Sequence, residues 1–312
     1  MERGDRPLTR RTFLGWLGAA VAAPAIGTPR AAAAPDAAGS VLQKKIPSSG
    51  EGIPVIGLGT SRTFAAPPGP ERAALLPVLQ AFFARGGALV DSSPMYDEAE
   101  EVLGELLPKV RPARLFAATK VWTDGARAGV AQMERSRELW GVPRFDLMQI
   151  HNLRDWEVHL PTLQEWKARG RIRYLGITTS HGRMHDELER ALTRERFDFV
   201  QLTYNLEDRE AEARLLPLAA ERGVAVLVNR PFQLGGLFER VRGKALPPWA
   251  AELGIASWAQ YFLKFAVSHP AVTCAIPATS KVKHLEDNMA AGRGRLPDAG
   301  ERARMIRYVA EG

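Results

Sequence analysis

Residues 86–91 read Gly-Gly-Ala-Leu-Val-Asp, a short apolar run that follows two glycines and ends in an acid. Runs of this kind recur and alternate with longer amphipathic segments, which is typical of βα units around a parallel sheet. Eight such units over about 240 residues predict an α/β fold, a (β/α)8 TIM barrel. The eight runs are residues 55–58, 88–90, 115–118, 147–150, 172–177, 199–202, 224–228 and 273–276.

Helical patterns separate the apolar runs, and the clearest are residues 70–85, 129–140, 210–221, 257–268 and 282–291. A doubly wound sheet is the alternative, but it would carry a G-x-G-x-x-G motif after its first strand. Here Gly57-Leu58-Gly59 is followed by Thr60-Ser61-Arg62, so that motif is absent. Ahead of the barrel, residues 41–46 and 53–55 flank a Ser-Ser-Gly turn and predict an N-terminal β-hairpin that plugs the barrel's bottom.

Composition narrows the class of protein. An apolar fraction of 46% with 25% charged residues indicates a globular chain with a sizeable core. The formal charge is +7, of which residues 1–34 carry +3 through five arginines and two acids. The remaining basic residues are interspersed with acids, which argues against a nucleic-acid partner. Cys274 is the only cysteine, so an intramolecular disulfide and a cysteine-based zinc site are excluded.

Residues 1–34 have the three-part layout of an export signal. Thr9-Arg10-Arg11-Thr12-Phe13-Leu14 precedes a mild apolar stretch at 13–23, and alanines at 31–34 supply a cleavage site. The arginine pair before Phe-Leu resembles the twin-arginine signal, whose machinery exports folded proteins. An ordinary secretory signal with a chance arginine pair is the alternative. Both place the mature domain, residues 35–312, in the periplasm, and no cysteine is positioned for a lipid anchor.

Polar residues end three neighbouring apolar runs. Asp91 ends the second run, Lys120 follows the third and His151 follows the fourth, while Tyr96 comes five residues after Asp91. The carboxyl ends of barrel strands form one rim, where TIM-barrel enzymes carry their chemistry. We therefore expect these four side chains to meet.

Each of the four has a structural alternative. Asp91 could cap a helix, Lys120 could pair with it, His151 could be a core histidine, and Tyr96 could serve packing alone. Four ionisable side chains at one rim nevertheless favour a functional site. They predict a proton donor for a carbonyl, because an ammonium lowers the pKa of a nearby phenol and an imidazole can hydrogen-bond the carbonyl oxygen. One histidine, one aspartate and one lysine are not a zinc ligand set, so no metal is expected.

The chain resembles the aldo-keto reductases in four segments, in order and spacing: residues 86–96, 118–120, 149–152 and 276–281. The resemblance implies that Tyr96 is the general acid, that Lys120 and Asp91 tune it, and that His151 positions the substrate. It also implies a nicotinamide cofactor that lies extended across the barrel mouth without a Rossmann domain. The implied activity is NAD(P)H-dependent reduction of an aldehyde or ketone, or the reverse oxidation of an alcohol.

The cofactor residues of this family are matched in part. Gln201 matches the glutamine that contacts the nicotinamide amide, and Asn288 matches the residue that contacts adenine. Thr178 and Thr179 stand where the family usually has Ser-Asn, and Asn229 stands where a tyrosine often stacks on the nicotinamide ring.

We expect Ser280 and Lys281 to bind the adenosine 2′-phosphate, with Lys283 and His284 nearby. His284 occupies the place of an arginine in many relatives, and a neutral imidazole is a weaker phosphate partner than a guanidinium. A solvated helix start is the alternative for Lys281 and Lys283. We expect NADP(H), with NAD(H) as the alternative.

The substrate is not specified by the sequence. Met95 and Trp122 are predicted to form an apolar wall over the carbonyl, although Trp122 could equally pack a loop. No basic cluster that would select an acidic substrate is evident at the mouth. A different function stays open: a nicotinamide-nucleotide sensor or redox-partner subunit with little turnover, because free nicotinamide nucleotides are not expected outside the cytoplasm.

Overall fold

The structure is a computed structural model and describes residues 40–311. A short antiparallel hairpin, β1 (Gln43–Lys45) and β2 (Gly52–Pro54), precedes eight parallel strands that pair in chain order. The prediction of a (β/α)8 barrel with an N-terminal hairpin is confirmed. The eight strands are β3 Leu58–Gly59, β4 Leu89–Asp91, β5 Phe116–Val121, β6 Phe145–Ile150, β7 Ile172–Thr178, β8 Phe199–Thr203, β9 Ala225–Asn229 and β10 Val272–Ala275.

The seam of the barrel lies between β3 and β10, where isolated bridges join Ile56 to Ala275 and Gly59 to Ala278. The N–H groups of Gly57 and Gly59 donate to the carbonyls of Ala275 and Pro277 at 2.9 and 3.0 Å. A Cβ on Gly59 would lie 2.7 Å from the carbonyl oxygen of Ile276. Glycine is therefore required there for the two strands to approach this closely.

Helices cover the outside of the barrel, and two of the five predicted helical spans are interrupted. Residues 70–85 form two helices, because Pro77 lacks the N–H that would continue the first one. Residues 210–221 likewise begin with a 3₁₀ turn, and Pro217 lies in the first turn of the helix that follows. The helices are α1 Pro70–Ala73, α2 Leu76–Ala84, α3 Ala99–Val110, α4 Ala126–Trp140, α5 Trp156–Ala168, α6 His185–Arg194, α7 Leu215–Arg222, α8 Gly236–Arg240, α9 Trp258–Ser268, α10 Val282–Ala290 and α11 Ala299–Ala310.

Three aromatic rings fill the barrel interior near the amino ends of the strands. Phe116, Tyr174 and Phe199 lie with centroids 5.5 to 5.9 Å apart, and we call these three residues the lower layer. Ile46 and Ile53 of the hairpin belong to the same buried cluster. The hydroxyl of Tyr174 donates to Glu51 Oε2 at 2.8 Å. The hairpin thus closes the bottom of the barrel and leaves the other end for a site.

The predicted signal at residues 1–34 lies outside the described residues. Among residues 40–311, no helix is long and apolar enough to cross a lipid bilayer.

Candidate active site

A buried ion pair lies at the rim where β4 and β5 end. Lys120 Nζ is 2.5 Å from Asp91 Oδ1 and donates to the carbonyl of Ser92 at 2.8 Å. The two side chains are 0% and 2% exposed. Burial by itself lowers the pKa of Lys120, but the negative charge of Asp91 together with the contributions of Tyr96 and of the hydrogen bonds outweighs burial, and the net shift is upward. Lys120 therefore stays an ammonium although it is fully buried.

The second oxygen of Asp91 is held by two glutamines. Gln149 and Gln201 donate to Asp91 Oδ2 at 2.9 and 3.1 Å, and Gln201 also donates to Gln149 Oε1 at 3.1 Å. We call Asp91, Lys120, Gln149 and Gln201 the upper layer. Gln149 was not predicted from the sequence, but it lies two residues before His151, and side chains two apart on a strand point to the same face.

Tyr96 lies beside the pair, at the end of a turn that Ser93 begins. The N–H of Tyr96 donates to the carbonyl of Ser93 at 3.0 Å, and Lys120 Nζ is 5.1 Å from the centre of the tyrosine ring. Burial raises the pKa of the phenol, and this outweighs the opposing charge of Lys120. The ammonium lowers this pKa as the sequence predicts, but burial, which the sequence does not show, has the larger effect. Tyr96 carries its proton at neutral pH.

His151 meets Tyr96 edge-on, with ring centroids 5.8 Å apart and planes at 89°. Its Nδ1 lies 2.9 Å from Ser93 Oγ. Burial, and next the charge of Lys120, lower the pKa of His151 to about 2. The imidazole is therefore neutral, and it can donate or accept one hydrogen bond at its remaining nitrogen.

The four predicted catalytic residues thus come together at one rim. Asp91, Tyr96 and His151 line a cavity of about 490 Å³ at the barrel mouth. Met95 and three residues predicted for the cofactor, Thr178, Gln201 and Asn229, line the same cavity.

Trp122 is placed differently from the predicted apolar wall. It is not among the cavity-lining residues; its ring lies 5.2 Å from that of His151 and under the guanidinium of Arg154 at 4.6 Å. Gln132 binds both its N–H and its carbonyl, at 2.6 and 2.9 Å. Trp122 therefore packs against His151 outside the cavity lining, which agrees with the loop-packing alternative.

Thr179 is also set back from the cavity surface. Its side chain is buried, and its carbonyl accepts from Asn229 Nδ2 at 2.8 Å. The hydroxyl of Thr203 donates to Asn229 Oδ1 at 2.7 Å. Hydrogen bonds thus fix both the oxygen and the nitrogen of the Asn229 amide.

Two arginines and a histidine lie at the cavity mouth, where the sequence alone showed no basic cluster. Arg62, His181 and Arg230 all line the cavity. Arg230 Nε is buried, and no group among residues 40–311 hydrogen-bonds it. Burial and then the charge of Arg62 lower the pKa of Arg230, so the two guanidinium groups act on each other. The sequence signal is that each arginine lies just past a strand, but their convergence depends on the fold.

The predicted 2′-phosphate residues lie at the start of α10. Ser280, Lys281 and His284 are exposed, whereas Asn288 is buried two turns further along. The N–H of Lys281 donates to Thr279 Oγ1 at 3.1 Å. Within residues 40–311 no carboxylate forms an ion pair with Lys281. Its ammonium is therefore available to an anion.

The sequence model of the Aldo/keto reductase family matches residues 55–301. Because this match covers most of the chain, the protein belongs to the aldo/keto reductase family, and it is an oxidoreductase.

Individual relatives are distant. The chain is 24% identical over 274 residues to the aldo-keto reductase str7 of Strobilurus tenacellus, covering 75% of this chain and 80% of that protein. It is 25% identical over 179 residues to the NADH-specific methylglyoxal reductase of Escherichia coli K12, covering 47% and 53%. Among solved structures, the aldo-keto reductase of Klebsiella pneumoniae in complex with NADPH has a TM-score of 0.72 at 24% identity, covering 86% and 95%.

Proposed function

We propose that the protein is an exported carbonyl reductase that uses NADP(H) to reduce a small aldehyde or ketone, with Tyr96 as the general acid. One observation carries the proposal: a protonated phenol, a buried ammonium and a neutral imidazole lie together at one open cavity. Such a set can give a proton to a carbonyl oxygen and stabilise the anion that remains.

The chain's residues handle the proton. Tyr96 donates its hydroxyl proton to the carbonyl oxygen, and the phenolate that forms is stabilised by the ammonium of Lys120. Asp91 keeps that ammonium charged, and the two glutamines hold Asp91 in place. His151 hydrogen-bonds the carbonyl oxygen. When bound, the reduced nicotinamide supplies the hydride to the carbonyl carbon, so the product is an alcohol.

The cavity residues fit a dinucleotide. Arg62 and Arg230 offer positive charge for its phosphates, and the buried Nε of Arg230 has no hydrogen-bond partner within residues 40–311. Gln201, Asn229 and Thr178 offer polar groups for the carboxamide. Ser280, Lys281 and His284 would receive a 2′-phosphate, and Asn288 would meet the adenine.

The relatives support NADP(H) with NAD(H) as the alternative. The Klebsiella pneumoniae structure holds NADPH, whereas the Escherichia coli relative is NADH-specific. That second relative acts on methylglyoxal, which supports a small carbonyl as substrate here.

The test is a titration of the mature protein, residues 35–312, with NADPH and NADH, followed by a panel of small aldehydes and ketones. We expect NADPH to bind more tightly and to be oxidised when a carbonyl is added. The variant Tyr96→Phe is the control, since it should bind NADPH and not turn it over. Tight binding without oxidation by any carbonyl would contradict the proposal and favour the sensor or redox-partner alternative.

We also propose that residues 1–34 direct export to the periplasm by the twin-arginine pathway. The support is the Arg10-Arg11 pair ahead of Phe13-Leu14 and the alanines at 31–34. The conservative double variant Arg10→Lys, Arg11→Lys should trap the full-length precursor in the cytoplasm. Export of that variant at the wild-type level would remove the twin-arginine assignment.

A further inference from the structure

We propose that Ser93 is a positioning residue: its hydroxyl donates to His151 Nδ1 and so keeps the ring proton on Nε2, ready to be donated to a carbonyl oxygen. Donation to a carbonyl oxygen rests on the proposed function, whereas the tautomer of His151 is a property of the protein alone. An experiment can therefore refute either statement without the other.

The hydrogen bonds of Ser93 determine the direction of donation. Two groups lie within hydrogen-bonding distance of Ser93 Oγ among residues 40–311: the N–H of Met95 at 3.2 Å and His151 Nδ1 at 2.9 Å. The N–H of Met95 can only donate, so it uses the oxygen as an acceptor. The single proton of the hydroxyl then has one acceptor available, which is Nδ1.

The opposite tautomer would leave a group unsatisfied. If Nδ1 carried the proton and donated to Ser93, the hydroxyl proton of Ser93 would point at no acceptor within the described chain. Ser93 is fully buried, so water does not replace that acceptor. A buried donor without a partner costs more than an ordinary hydrogen bond gains. The tautomer with the proton on Nε2 is therefore favoured.

The ring itself holds one proton and a fixed orientation. Its pKa of about 2 means that His151 is neutral at physiological pH, so the two nitrogens share one hydrogen. Tyr96 packs edge-on against the ring and Trp122 packs at 58° to it. No group of residues 40–311 hydrogen-bonds Nε2, and His151 lines the cavity. The free nitrogen is thus the one left for a ligand.

Ser93 hydrogen-bonds both His151 and Tyr96, the two residues proposed to contact the carbonyl oxygen. Its side chain contacts the ring of His151, while its carbonyl accepts from the N–H of Tyr96. One residue therefore sets the ring proton of the histidine and anchors the turn that presents the phenol.

The direct test is a nitrogen–proton correlation spectrum of the isotope-labelled mature protein without cofactor. It distinguishes the two neutral tautomers of each of the six histidines. The variant His151→Asn identifies the signal of His151. We expect that signal to show a proton on Nε2, and a proton on Nδ1 in the wild type would overturn the proposal without any serine variant.

The variant Ser93→Ala should shift His151 toward a mixture of tautomers. Loss of one neutral hydrogen bond should lower kcat/KM for the carbonyl roughly three- to tenfold and leave the Kd for NADPH unchanged. Ser93→Thr keeps a hydroxyl and should restore both readouts. Ser92→Ala is the matched spectroscopic control, because the hydroxyl of Ser92 contacts Thr60 and not the histidine.

The proposal is wrong if Ser93→Ala leaves the tautomer of His151 as it is in the wild type, whatever happens to the rate. A fall in rate with an unchanged tautomer would assign Ser93 to the turn alone. If the protein reduces no carbonyl at all, the spectra still decide the tautomer.

Discussion

The lower and upper layers of the barrel lie on the same strands but differ in the kind of side chain that they bury. Strand β5 carries Phe116 in the lower layer and Lys120 in the upper one, on the same inward face. The lower layer is aromatic and is stabilised by burial and packing. The upper layer buries a charged pair, which gains little or nothing in stability over an apolar core of the same volume. Its presence therefore points to chemistry.

The sharpest test of this contrast is Lys120→Met alone and together with Asp91→Asn. The single variant leaves a buried carboxylate without its counter-ion and should cost about 3–5 kcal/mol in the free energy of unfolding. The double variant removes both charges and should regain most of that loss. Carbonyl reduction should fall by about a thousandfold or more in both. Urea unfolding and steady-state rates measure the two effects, and recovery of activity in the double variant would contradict the functional interpretation.

The complementary test is Phe116→Ala in the lower layer. Truncating a fully buried phenylalanine should cost about 3–5 kcal/mol through lost contacts and a residual cavity. Activity per folded molecule should stay within about twofold, because the ring is remote from Tyr96. The measurement is urea unfolding beside rates corrected for the folded fraction. A large fall in the corrected rate would show that the layers are coupled.

Tyr96→Phe tests the rim without disturbing either layer. The change removes one oxygen, and carbonyl reduction should fall at least about a hundredfold while the affinity for NADPH is kept. The free energy of unfolding should change by less than about 1 kcal/mol, because the ring and its packing against His151 are kept. Unchanged turnover would remove Tyr96 from the mechanism.

Lys281→Ala tests a surface residue that lies outside both layers. If Lys281 binds the 2′-phosphate, the affinity for NADPH should fall roughly ten- to a hundredfold and that for NADH should not change. Lys283→Ala is the matched control, because Lys283 is also exposed and lies in the first turn of α10. Quenching of tryptophan fluorescence reports both titrations, and equal losses for the two cofactors would assign Lys281 to structure.

The smallest expected effect is that of pH on the reduction rate. Burial keeps Tyr96 protonated and holds His151 neutral, with a pKa of about 2. Neither group should titrate between about pH 5 and about pH 9, so the rate should be flat there.

Stability should behave differently in acid. The pKa of His151 is lower in the folded than in the unfolded chain, so the unfolded chain binds more protons as the pH falls. The contribution of His151 to stability is complete above pH 6.5 and is lost as the pH falls toward 2. The variant His151→Asn should weaken this dependence in urea unfolding, and an identical pH dependence would show that other groups cause it.

The sequence predicts those parts of the molecule that follow from strand periodicity. The eight apolar runs identify the strands, and the polar residue after each run identifies Asp91, Lys120 and His151. Properties that depend on burial or on distant segments were not accessible. The sequence misses the convergence of Arg62 and Arg230. It predicts that Lys120 lowers the pKa of Tyr96, but it does not show the burial whose larger effect raises that pKa.

Side chains that act through others were also missed. Gln149 contacts Asp91, and Ser93 contacts His151. Gln149 lies two residues before His151 on the same strand, so a search of alternate residues could have found it. No pattern of spacing indicates which hydroxyl faces which ring nitrogen. The breaks at Pro77 and Pro217, by contrast, follow from a missing N–H and could have been predicted.

The seam between β3 and β10 also determines when the barrel can fold. It joins the first barrel strand to the last, so loop closure over nearly the whole domain must precede it. A nascent chain that has not yet produced Val272–Ala275 has an unpaired β9 edge and an interior that lacks Cys274. Barrel closure is therefore completed only after synthesis of the last strand, and a ribosome-bound chain exposes a strand edge until then.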